Sequence, residues 1–147
     1  MAKTVENSIP HGVGVEKKLV KYVNDQLRKR TDGLVIACSD ETTALTTGTN
    51  KVSFRMPYAL TLTSVRANLV TAQISGSIFT INIKKNGVTL FSTKPTIDNT
   101  ETSTQTAAIP SVLSTTALAD DDLITVDIDQ IGDGTAKGLK IALIGTR

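Results

Sequence analysis

The stretch "IFTINIKKNGVTLFST", residues 78 to 93, decides the fold. Its apolar residues alternate with polar ones on either side of Asn86-Gly87, the residue pair that best tolerates the two positive φ angles of a type I′ turn. Counting back from that turn pairs Ile83 with Leu90. The stretch therefore predicts a β-hairpin with Phe79 on an inward face.

The same period of two extends outward along the chain. In "KVSFRM", Val52, Phe54 and Met56 share one face, and Lys51, Ser53 and Arg55 share the other. In "LTLTSVRANL" the apolar set shifts from Leu60 and Leu62 to Val65, Ala67 and Leu69. A one-residue slip turns every side chain over, so a bulge is expected near Thr63-Ser64. Eight strands are predicted, at about 34–39, 51–56, 60–69, 78–85, 88–94, 103–109, 123–130 and 138–144. Of the 23 threonines, 21 lie after residue 33, as suits half-exposed strands. Few tight hairpins and several long Thr/Ser loops favour a jelly-roll-like antiparallel β-sandwich over a meander.

Before the sandwich (34–147) lies a different kind of sequence (1–33). Pro10, Gly12 and Gly14 oppose helix, which predicts an extended arm over 1–14. In "VEKKLVKYVNDQLRKR", Val15, Leu19, Val23 and Leu27 recur every four residues and form one apolar stripe. Lys17, Lys18, Lys21 and Arg28 occupy other faces, with Lys29 and Arg30 in the last turn and Asp32-Gly33 as the stop. Seven basic and four acidic residues up to Gly33, against nine and ten beyond it, join a basic head to a near-neutral body. A helix this short is marginal alone and must pack on something.

Catalytic chemistry finds little support. The only histidine is His11, in the arm, and the only cysteine is Cys38, in a strand, where it reads as a small core side chain. "GVGVEKKL" lacks the third glycine of a dinucleotide fingerprint and precedes a strand when it should follow one. No metal or nucleotide motif is present, so neither enzyme activity nor a cofactor is expected. One cysteine permits no internal disulfide, and no apolar run reaches the ~20 residues of a membrane span. The basic residues lack the aromatic stacking partners of a nucleic-acid reader; they read as a solvated helix face or as a face that docks on an acidic protein surface. With no Trp, a sugar platform is left to Tyr58 and Phe91.

From "LVIACSDETTALTTGTNKVSFRMPYALTLTSVRANL" to "LADDDLITVDIDQIGDGTAKGLKIALIGTR", residues 34–147 resemble a family of β-rich proteins from the virions of tailed bacteriophages, frequent in marine and cyanobacterial phages. The resemblance is most specific in "FRMPYALTLTSVRA" and in the closing "DDLITVDIDQIG" with "TAKGLKI". It implies a jelly-roll sandwich, often a homotrimer, with no catalytic residues, used in tail fibres or capsid decoration. The implied partners are other virion proteins. The expected role is a structural one, with the arm and helix as anchor. An alternative makes the body a receptor- or glycan-binding tip, using loops 39–50 and 95–103.

"ADDDLITVDIDQIGDG", residues 119–134, carries six aspartates. Asp120, Asp121 and Asp122 fall in a turn before a strand, and Asp133 in the turn after it. Asp127 and Asp129 alternate with Val126 and Ile128, which predicts that they face outward. In a jelly roll this seventh strand lies between the second and fourth. The two acids are then expected in a cross-strand charge ladder with Lys51 or Arg55 on one side and Lys84 on the other. A divalent-metal site is the competing reading.

Overall fold

A computed structural model describes residues 13–28 and 30–147. Among them are one helix, α1 (Val13–Arg28), and eleven strands. The longer strands are β1 (Thr31–Ala37), β2 (Gly48–Arg55), β3 (Leu60–Asn68), β4 (Phe79–Lys85), β10 (Leu123–Gln130) and β11 (Lys140–Thr146). Between them lie the short β5 (Val88–Thr89), β6 (Phe91–Thr93), β7 (Thr96–Ile97), β8 (Val112–Leu113) and β9 (Ala117–Leu118).

Two main sheets form, in the orders β1-β11-β3-β9 and β2-β10-β4-β5, with β7 also pairing β4, and β6 and β8 make a small third sheet. Every paired strand runs antiparallel. The order is that of one long hairpin rolled up. β1 pairs β11, β2 pairs β10, β3 pairs β9 and β4 pairs β5 along the hairpin; rolling then adds β11 to β3 and β10 to β4. This is the jelly roll that the hydrophobic pattern predicts.

The alternating side chains supply the core. Phe79, Ile81 and Ile83 from one sheet meet Leu60, Leu62, Ile141 and Leu143 from the other in one buried cluster. Burying each of these contributes about 1.5–3 kcal/mol. The central turn has the expected form: Asn86 and Gly87 have φ of 48° and 85°, and the Leu90 N–H donates to the Ile83 carbonyl at 2.9 Å. The expected slip in β3 also occurs. Ile144 opposes Ser64 and Gly145 opposes Leu62, so Thr63 is the extra residue.

Several boundaries differ from the pattern. The segment 103–109 is not a strand; β9 takes its place beside β3. Its own hydroxyls explain this. Ser103 accepts from the Gln105 N–H and Thr104 from the Ala67 N–H, so side chains meet backbone donors that a ladder would otherwise need. At the other end, β1 starts at Thr31, so Asp32 and Gly33 belong to a strand and do not stop the helix. The helix ends at Arg28, and Arg30 follows it. The helix also begins at Val13, so Val13 and Gly14, expected at the end of an extended arm over 1–14, belong to its first turn. The rest of that expected arm, residues 1–12 with His11, lies outside the described residues, as does Lys29.

Candidate functional site

The helix carries the first candidate surface. At 100° per residue, Val15, Leu19, Val20, Tyr22 and Val23 fall within one half of its circumference, interrupted by Glu16 and Gln26. Lys17, Lys18 and Lys21 take the opposite half, where Lys21 pairs with Asp25 at 3.1 Å. All five apolar side chains are exposed, from 41% at Leu19 to 63% at Tyr22. A strongly amphipathic helix normally spends its apolar face on a core. Here, among the described residues, nothing covers that face. The side chains of Leu27 and Arg28 lie outside the described set.

The aspartates of β10 form the second candidate. Asp127 points away from the core yet is 1% exposed, which corrects its expected solvent position. The cover comes from β2. Val126 opposes Val52 and Ile128 opposes Gly48, so residues 49–51 bulge over the carboxylate. At this bulge Asn50 has φ 51° and donates its N–H to Asp127 Oδ1 at 2.8 Å. Lys84 Nζ lies 2.6 Å from Oδ2, and this bond raises the Lys84 pKa. Beside the pair, Thr89 donates to the buried Asn82 amide oxygen at 2.6 Å.

Asp129 takes a partner that the strand pattern does not suggest, Lys94 at 2.6 Å. Arg55 stands off the ladder, donating to the Asp121 carbonyl at 2.9 Å, and Lys51 bonds Thr46. Both Asp127 oxygens are thus committed to protein donors. Among the described residues no three His, Cys, Asp or Glu side chains gather to hold a metal ion. The geometry is that of a register clamp, made by one backbone hydrogen bond and one charged one.

The flanking aspartates are also tied down. Asp122 accepts from the Ala119 N–H (2.7 Å) and the Asn86 amide (2.8 Å), and both lower its pKa. Asp133 gathers the Ile74 and Ser75 N–H groups on one oxygen and the Thr135 N–H and hydroxyl on the other. Cys38 is buried, and desolvation pushes its thiol up to about 11, far from a nucleophile's range.

The aromatic side chains do not form a sugar platform. Phe91 is 4% exposed in the core, and the Tyr58 ring is capped by the Arg147 guanidinium at 4.0 Å. Loop 39–50 is folded on itself, with Asp40 accepting the Thr42 and Thr43 N–H groups. These two bonds, that of Thr43 the stronger, lower the Asp40 pKa to about 2. No described helix is long and apolar enough to cross a membrane. No family model matches this chain, and no curated protein matches it.

Proposed function

We propose that this protein is a non-enzymatic structural component of a tailed-bacteriophage virion. In this reading the N-terminal arm and α1 fasten it to the particle, and the jelly roll is displayed, as a homotrimer, in capsid decoration or as a tail-fibre or adaptor piece. The observation that carries the reading is the exposed apolar half of α1, two residues upstream of β1. Burying that half needs a partner surface, and helices of other copies offer one of matching pattern. Lys17, Lys18 and Lys21 then stay outward to meet an acidic neighbour. The resemblance of residues 34–147 to virion proteins supplies the setting.

Light scattering on the full chain tests the trimer. The wild type is expected at three times the monomer mass. Leu19→Asp with Val23→Asp is expected to run as a monomer with the same β-rich circular dichroism. A monomeric wild type, or a variant of unchanged mass, would refute self-association through α1. In particles, the same double variant is expected to be left out. The alternative reading, a receptor- or glycan-binding tip, places the contacts on the sandwich.

A further inference from the structure

The outer edge of β3 is paired at both ends and open in the middle. At one end Leu60 and Thr61 pair with Leu118 and Ala117, and the Leu62 N–H donates to the Thr116 carbonyl at 2.7 Å. At the other, Ala67 exchanges bonds with Thr104, and the Leu69 N–H reaches the Thr102 carbonyl at 2.9 Å. Ala67 therefore faces away from β11. Val65 lies two residues earlier in an uninterrupted register, so its N–H and C=O point the same way. Among the described residues no group meets them, although Val65 is 4% exposed. Buried backbone polar groups need partners.

They open into a cleft of about 460 Å³ between β3 and residues 104–113. That size lies within the range of small-ligand sites, ~300–1,000 Å³. The Ser64 and Ser111 hydroxyls and the Gln105 amide line it without partners among the described residues, and Pro110 and Val112 give it an apolar wall. Among the described residues no charged side chain lines it. The wall is preformed: the Ala108 N–H donates to Asp98 at 2.8 Å, and Leu113 pairs with Phe91.

We propose that this cleft binds a neutral saccharide. An N–H beside a C=O asks for a ligand that accepts and donates at adjacent positions, as neighbouring sugar hydroxyls do. The uncharged lining gives an ionic ligand no counter-charge, and the apolar wall suits the C–H face of a sugar ring. A peptide strand fits less well, because only Val65 is open and Thr116 and Thr104 close both ends. A role in attachment rests on the tip reading; the binding itself does not.

Amide NMR titration of the ¹⁵N-labelled full chain tests the site, with glucose, galactose, N-acetylglucosamine, maltose and, as a control, triglycine. At least one saccharide is expected to move the Val65 amide and the Gln105 side-chain amide saturably. Ala107→Trp, which fills the cleft, is expected to weaken this by about tenfold or more. Gln105→Ala, at an exposed side chain, is expected to weaken it with the fold intact and serves if the tryptophan variant fails to fold. No shift at Val65 with any of the four sugars, undiminished binding in both variants, or a response to triglycine alone would each overturn the site. None of these outcomes bears on the trimer measurement, so the two proposals fail separately.

Discussion

Asp133 is one carboxylate on an exposed loop that holds two strand connections together, β3–β4 and its own β10–β11. Its two oxygens accept from Ile74, Ser75 and Thr135, at 2.6 to 3.0 Å for the four shortest bonds. The Thr135 hydroxyl, then the Thr135 and Ile74 N–H groups, keep its pKa well below the usual carboxylate range. A carboxyl depressed in the folded state adds stability that is full above the unfolded value of about 4 and fades as pH falls through the folded one. Asp133→Ala is therefore expected to unfold at lower urea at about pH 7 and to differ less from wild type at about pH 2. Equal losses at the two pH values would show that the bonds to the ionised form do not matter. The aspartate run let this turn be read from sequence, because Gly-Asp-Gly after a strand permits little else. The burial of Asp127 was not legible, since it depends on a bulge in β2, 77 residues away.

Among the elements, β11 shows how much a strand pattern leaves out. Its alternation, "KIALIGT", places Ile141 and Leu143 in the core, as the structure has them. Nothing local reveals why Gly145 is a glycine. A Cβ there would stand 2.1 Å from the Thr61 carbonyl oxygen, where the β3 bulge draws the two backbones together. Gly145→Ala is expected to cost about 3 kcal/mol by forcing β11 off β3. Gly87→Ala meets open space and faces only its positive φ, so about 1 kcal/mol is expected. Urea midpoints of the two variants separate the effects, and equal losses would argue against the close approach. The hairpin at 86–87 was legible because turn chemistry and period agree within a few residues. The segment 103–109 misleads because its threonines favour strands by propensity but cap backbone by chemistry. The open edge at Val65 leaves no trace in the sequence, since it follows from where β9 and Thr104 happen to end their pairing.

For the molecule as a whole, the number of strands and their alternation were enough to favour a jelly roll, because few other arrangements bury eight such strands with so few tight turns. The pairing order makes the first and last strands neighbours. Thr31 faces Thr146, and the Arg147 N–H donates to the Arg30 carbonyl at 3.3 Å. Residues 30 and 147 could thus be spliced by a linker of a few residues. The chain could then be reopened between Ile109 and Pro110, both exposed. Such a circular permutant is expected to keep the dispersed amide spectrum of the wild type, and a collapsed spectrum would mean that strand order is needed for folding. The body is, in this sense, a closed circuit of strands, and the helix is a handle attached at its seam.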